Sequence, residues 1–486
     1  MSQSPVPPAT PASRLFKGRV KVYPQSVQGG YRRLKWGLLA FALAVYYVLP
    51  WLRWDRGPFA PDQFVLLDLA HRRFYFGPIE IWPQEFYYVA GLLVMAGVGL
   101  FLITSTVGRA WCGYACPQTV WTDLFQAVER WIEGDRNARM KLDRAPWGPE
   151  KVLKRAAVHI SWLLIAVATG GFFILYFADA PTLLRDIVTC NAPFIAYATV
   201  GILTATTYVF GGLLREQVCT YMCPWPRIQS AMLDENSLIV TYKQWRGEPR
   251  TRGTKKAAHE GAKTGDCIDC NACVAVCPTG IDIRNGPQLE CITCALCIDA
   301  CNTMMDKVGR PRGLIDYTTE KRDRLEAAGQ VLPPKWKSIV RPRTIIYTGV
   351  WSLIGIAMLA TLLTRDRLDL SVSQQRNPLY VQLSDGSIRN GYVIKIHNME
   401  PRPRDFTLAL EGPAGSLMWD SYTTESTATE TLTIPVGPDL TESRRIYVRV
   451  PAESLSGSKV DIHFILRADN GEVVAHESHF DGPEKK

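Results

Sequence analysis

The sequence contains five apolar runs, each nearly free of charge and close to the roughly 20 residues an α-helix needs to cross a bilayer. They lie at Leu34–Leu52, Phe86–Thr104, Ala156–Phe177, Pro193–Leu214 and Thr344–Leu363. A buried core helix is the alternative for any single run. Five such runs together point to a multi-pass α-helical membrane protein. The overall composition hides this, because 47% hydrophobic and 21% charged residues look like an ordinary soluble protein. The two kinds are segregated along the chain.

The formal net charge is +9. A basic chain suggests nucleic acid, but here the positive residues flank the apolar runs, so no nucleic-acid partner is expected. Arg14, Lys17, Arg19, Lys21, Arg32 and Arg33 precede the first run and Lys35 stands at its start, with no acid before it. The loop after the second run is also basic, as is the long segment from Arg215 to Arg343, whereas the loop after the third run offers only Arg185. By the positive-inside rule these basic segments are cytoplasmic, as orienting charges beside lipid. An odd number of spans then puts the region after Arg365 on the other side. No cleavable signal peptide is expected, since no A-x-A-like site follows the first run.

Residues 1–35 read as a flexible basic tail with Pro5, Pro7, Pro8 and Pro11. Residues 36–240 read as a four-span region. Residues 241–343 read as a cytoplasmic insert with linkers, 344–365 as the fifth span, and 366–486 as a periplasmic all-β domain. That last region alternates apolar and polar residues between turns, as in GYVIKIHN and RRIYVRVP, which predicts an immunoglobulin-like β-sandwich.

Twelve of the thirteen cysteines fall in pairs or quartets. C-I-D-C-N-A-C-V-A-V-C-P begins at Cys267, and C-I-T-C-A-L-C-I-D-A-C-N begins at Cys291. Both are C-x₂-C-x₂-C-x₃-C, the bacterial ferredoxin spacing, in which the fourth cysteine ligates the other cluster. This predicts two [4Fe–4S] clusters. One is expected on Cys267, Cys270, Cys273 and Cys301, the other on Cys291, Cys294, Cys297 and Cys277. A zinc site would use four ligands in two separated pairs, which fits two identical quartets poorly. Asn302 replaces the proline usual after the second quartet.

Two further pairs, Cys112 with Cys116 and Cys219 with Cys223, are C-x-x-x-C-P. GRAWCGYACPQTVW and REQVCTYMCPWPRI each follow an even-numbered run, which reads as an internal repeat of a two-helix unit. Such pairs could grip a soft ion such as Cu(I) or exchange electrons as a disulfide. Small-residue packing at helix ends is the alternative. Pro117 and Pro224 disfavour helical geometry at the cysteines before them. Arg109 and Arg215 are expected to lower nearby thiol pKa values. Cys190, His159, Met304 and Met305 read as structural.

No G-x-G-x-x-G follows a strand, and no C-x-x-C-H occurs, so neither a nucleotide cofactor nor a c-type haem is expected. The electron donor is then separate and unidentified, a quinol or a reduced protein.

Five spans, two C-x-x-x-C-P pairs, a ferredoxin insert and a trailing sandwich, together with WRGEPRTRG and VGRPRGLIDY, resemble the cytochrome c oxidase accessory protein family, CcoG/FixG/RdxA. The resemblance covers the chain from about Val22 onward. It implies a bacterial inner-membrane protein that helps assemble a cbb3-type haem–copper oxidase by reducing Cu(II) to Cu(I). Oxidase subunits or copper chaperones and transporters are the implied partners, and Cys112, Cys116, Cys219 and Cys223 the implied copper-handling residues. The alternatives are a quinol-dehydrogenase-type electron-transfer subunit and a non-catalytic assembly scaffold with redox-sensing clusters.

Overall fold

The computed structural model describes residues 21–58, 60–251, 264–334, 336–365, 368–400, 402–438 and 440–483. Positions 1–20 of the expected tail and 252–263 of the expected linker lie outside these residues. The chain divides into two compact units. One is built mainly from residues up to Ile356. The other runs from Ala357 onward and also takes in Leu52–Phe64 and Tyr75–Glu80.

Five helices are long and apolar enough to cross a membrane: Gly30–Trp51, Tyr87–Val107, Pro149–Tyr176, Phe194–Leu214 and Pro342–Thr364. Each contains one of the apolar runs or most of it. The third begins at Pro149 rather than Ala156, because proline at the first helical position loses no intrahelical hydrogen bond. Their regular α-helical parts are α1 (Gly30–Val48), α2 (Tyr87–Val107), α5 (Pro149–Thr169), α7 (Phe194–Thr207) and α10 (Pro342–Thr364). Shorter helices lie between them: α3 (Pro117–Glu133), α4 (Arg136–Arg144), α6 (Ala180–Val188), α8 (Trp225–Met232) and α9 (Leu296–Lys307). Proline opens α3 as well, and Gly134, at φ 90°, ends it. A three-stranded sheet, β1 (Val65–Asp68), β2 (Arg73–Phe76) and β3 (Ile79–Ile81), occupies the loop before α2.

The cysteine-dense insert is closed at its base by an antiparallel pair. β4 (Leu238–Tyr242) lies before it and β5 (Ile315–Thr319) after it, with Val240 opposite Tyr317. Tyr317 Oη donates to the carbonyl of Val107 at the end of α2. Leu238 O sits so near Gly108 that a Cβ there would stand 2.0 Å away. Only glycine, here at φ 66°, fits that crossing.

The expectation of a flexible tail fails for residues 21–35. Gln25 N donates to Ala275 O at 2.8 Å. Arg32 N donates to the buried carboxylate of Asp299 at 2.8 Å. Arg32 and Lys35 both pair with Asp123 at 3.0 Å. These carboxylates need cationic partners in a dry setting, and the tail supplies them. The same reasoning applies to two residues of the later basic segments. Arg139 is fully buried against Glu129 at 2.5 Å, and Arg215 reaches the same carboxylate at 3.0 Å.

The second unit is a β-sandwich. One sheet has β10 (Leu417–Asp420), β12 (Thr441–Val450), β8 (Ile388–Asn398) and β6 (Leu368–Gln374) in that order, with β7 (Val381–Gln382) on β8. The other runs β11 (Thr431–Val436), β9 (Arg404–Glu411), β13 (Lys459–Arg467) and β14 (Val473–Asp481). Alternate residues point inward. Ile394, Ile396, Phe406, Leu408, Ile446 and Phe464 form its sealed core. No cysteine lies in this unit, so no disulfide staples it.

Candidate functional site

The two cysteine loops share one backbone conformation. Asp269 and Asn271 in the first, and Thr293 and Ala295 in the second, all take positive φ, between 49° and 59°. These are the second and fourth residues after Cys267 and after Cys291. A non-glycine residue at positive φ is strained, and such strain gathers at functional sites. Each loop runs into a helix, Ala272–Ala275 after Asn271 and α9 after Ala295. Arg284 fastens the first loop, donating to Asp269 at 2.7 Å and to Asn271 at 2.6 Å while pairing with Asp282.

The thiols sort into two groups. Cys301 has Cys273, Cys270 and Cys267 as its cysteine neighbours. Cys297 has Cys294, Cys291 and Cys277, with Cys273 beyond them. Each group therefore takes three cysteines from one loop and the last cysteine of the other. Burial pushes Cys294 and Cys301 up to about 12 and Cys273 to about 11, and the neighbouring cysteines push the same way. Thiols this buried ionise only with a compensating positive centre. Among the described residues, no three His, Cys, Asp or Glu side chains close on one point as a lone metal ion requires. Cys277, Cys291, Cys294 and Cys297 line one small cavity together with Cys273. The buried Arg109 keeps Nε and Nη2 without a hydrogen-bond partner among the described residues. Lys35 lies beside Cys294. Buried cations with spare donors, strained loops and grouped sulfurs fit an anionic iron–sulfur group.

The two C-x-x-x-C-P segments share a backbone pattern. Trp111–Ala115 and Val218–Met222 are π-helical turns. Cys116 N donates to Trp111 O at 2.9 Å, and Cys223 N to Val218 O at 2.7 Å. Both second cysteines are extended, with ψ of 127° and 126°, because proline follows. Gly108 and Arg215 begin the two segments at positive φ. The strict one-turn helical spacing of the thiols is therefore lost, as the prolines require.

The pairs come together. Cys219 has Cys116, Cys112 and Cys223 for neighbours. Cys112 Sγ donates to Oε1 of the fully buried Gln229, on the helix that follows Cys223, at 2.9 Å. At Cys112 and Cys219 the expected lowering is not found. Burial pushes Cys112 up to about 11 and Cys219 to about 12, and the opposing charge of Arg109 is too weak to reverse it.

This thiol group touches the second cysteine loop. A Cβ on Gly113 would lie 2.7 Å from Ile292 O and 3.1 Å from Cys294 Cα. Tyr114 Oη donates to Cys294 O at 3.2 Å, and Arg109 Nη1 to Leu289 O at 2.7 Å. Cys112 packs with Cys294 and Cys297 in one apolar cluster. Cys190 is exposed in a turn at φ 59°. Met305 is in the core of the insert. His159 bonds Tyr208 at 2.8 Å. Gly113, Gln229, Lys35 and Arg284 escaped the sequence reading. The one available signal was the glycine between Cys112 and Cys116, where the second segment has Thr220.

The chain is 57% identical over 461 residues to the nitrogen fixation protein FixG of Rhizobium meliloti, covering 90% of this chain and 88% of that one. It is 50% identical over 476 residues to the protein RdxB of Cereibacter sphaeroides, covering 98% and 99%. The chain belongs to the FixG/RdxA family. A family model described as an IG-like fold at the C-terminus of FixG matches residues 358–483 of this FixG relative, the sandwich. A 4Fe–4S dicluster domain matches residues 214–320 and a 4Fe–4S binding domain residues 89–137. The first covers both quartets with Cys219 and Cys223; the second covers Cys112 and Cys116. A crystal structure of a FixG-related protein from Vibrio parahaemolyticus also matches, 21% identical over 24% of this chain and 97% of that one, with a TM-score of 0.21. This FixG/RdxA member is thus an iron–sulfur protein of the electron-transfer kind.

Proposed function

We propose that this FixG/RdxA protein spans the bacterial inner membrane five times and reduces Cu(II) to Cu(I) for assembly of a cbb3-type haem–copper oxidase. Cys267, Cys270, Cys273 and Cys301 would hold one [4Fe–4S] cluster, and Cys291, Cys294, Cys297 and Cys277 the other. When bound, these groups supply single electrons. Copper is the substrate, received by a pair of thiols among Cys112, Cys116, Cys219 and Cys223, two soft sulfurs being enough to favour the cuprous state. In this reading the thiol end is cytoplasmic, where thiols stay reduced, and the sandwich is periplasmic, available to oxidase subunits or copper-handling partners; the basic segments support that orientation through the positive-inside rule.

The contact of Gly113 with the Cys294 backbone is the observation that carries this reading. It sets the backbone of the first thiol segment directly against the backbone of the second quartet. Gln229 holds Cys112 in place, and Arg109 supplies positive charge to both sides.

The test is stopped-flow mixing of dithionite-reduced protein with Cu(II). Replacing all four pair cysteines by serine should slow reoxidation strongly while leaving the iron–sulfur absorption intact. Unchanged kinetics in that variant would overturn the proposal.

A further inference from the structure

A cavity of about 740 Å³ lies where the segment before α1 meets α3 and the cysteine-dense insert. Ligand sites are commonly of this size. Positions 123, 126, 127 and 130 of α3 form one wall, with the i, i+3, i+4, i+7 spacing of a single helix face. Arg32, Arg33 and Trp36 of α1 form a second. Val276 and Pro278, on either side of Cys277, belong to a third.

The charges on these walls do not balance. Asp123 is the only carboxylate among the lining residues. It is buried and already shared by Arg32 and Lys35, each at 3.0 Å. No negative group on the lining is left for Arg33 and Arg130. Among the described residues, neither makes a side-chain hydrogen bond or ion pair, and the buried Gln126 amide makes none either. Burial, and then the like charge of Arg32, hold the Arg130 guanidinium below its usual pKa. A negative group beside it is what this position lacks. The remaining chain is poorly suited to supply one. Positions 1–20 hold Arg14, Lys17 and Arg19 and no acid, and positions 252–263 set Arg252, Lys255, Lys256 and Lys263 against Glu260 alone.

We propose that this cavity binds a phosphate group, held by the guanidinium groups of Arg33 and Arg130 with the Gln126 amide beside them. Guanidinium is the side-chain group whose paired N–H donors match phosphate oxygens. The position favours a phosphate carried by a membrane lipid. Arg33 is exposed on the first turn of the first long apolar helix, and Trp36 follows one turn later. Basic pockets beside such helix ends take anionic headgroups, and tryptophan prefers the same boundary. A headgroup there would tie α1, α3 and the insert together. The lipid source rests on the membrane-spanning reading; phosphate binding itself does not, and neither involves copper.

The test uses the full chain with its clusters, stripped of lipid in detergent. It is titrated in a calorimeter with dihexanoyl phosphatidylglycerol, dihexanoyl phosphatidylcholine and inorganic phosphate. The expected result is saturable binding of the phosphatidylglycerol, roughly tenfold or more tighter than the choline lipid, whose own cation offsets its phosphate. Arg33→Gln and Arg130→Gln should each weaken that binding about tenfold. Arg33 is exposed, so its variant should keep the iron–sulfur spectrum and unfolding temperature of the parent. Inorganic phosphate binding as tightly as the lipid, with the same loss in both variants, would support the site and name a soluble anion as its occupant. No saturable binding of either anionic probe, equal affinity for the choline lipid, or undiminished binding in either variant would overturn the proposal.

Discussion

Gly113 lies against the backbone of Cys294, so close that a Cβ on Gly113 would stand 3.1 Å from Cys294 Cα and 2.7 Å from Ile292 O. Both obstacles are backbone, which does not swing aside. Gly113→Val should therefore push the second cysteine loop away. The expected result is loss of roughly half the iron, with the first quartet still filled, and slower copper reduction. Iron and sulfide assays with EPR would check it; full iron and wild-type kinetics would refute it.

Arg284 ties Asp269, Asn271 and Asp282 together at 2.6–2.7 Å. Arg284→Ala leaves two carboxylates facing each other and the strained loop unheld. We expect a loss of roughly 2–3 kcal/mol in the insert, seen as faster bleaching of the iron–sulfur absorption under chelator. Arg284→Lys should restore little, because a single ammonium cannot reach all three acceptors.

Glu129 is the shared partner of Arg139 and Arg215, both buried. Glu129→Gln leaves Arg215 without its carboxylate and Arg139 with only Glu133, 3.8 Å away, at a cost of about 3–5 kcal/mol. Thermal unfolding in detergent should shift down clearly. A variant as stable as the parent would show that the network contributes nothing.

Asp234 gives a pH signature. Burial alone would raise its carboxyl, but hydrogen bonds from Arg341, Arg343 and Ser237 outweigh that and hold it at about 2. Its ordinary value is 3.8. The folded pKa is depressed, so the stabilisation is present above 3.8 and is lost as pH falls toward 2. Asp234→Asn should flatten that part of an acid-unfolding curve and lower stability at neutral pH. An identical acid limb in the variant would count against the clamp.

Much of the fold is written in local patterns. The apolar runs mark the five long helices because charge-free stretches of about 20 residues have few other uses. The sandwich shows in period-two alternation, as in GYVIKIHN on β8 and RRIYVRVP on β12. The cysteine spacing alone sorts the eight quartet thiols, since a loop of three plus a fourth one helical turn away leaves little choice. What stayed hidden depends on long-range contacts. Asp299 and Asp123, far along the chain, recruit Arg32 and Lys35 and so order residues that look like a tail. Gly113 is one glycine among 37 until Cys294 is placed beside it. The thiols of Cys112 and Cys219 are raised because burial outweighs Arg109, and burial cannot be read from the cysteine motif.

The most direct test is anaerobic EPR of the dithionite-reduced protein, free of excess dithionite, before and after one equivalent of Cu(II). The account predicts that the reduced iron–sulfur signal falls and that no Cu(II) signal appears in its place. A persistent Cu(II) spectrum beside an undiminished iron–sulfur signal would contradict it.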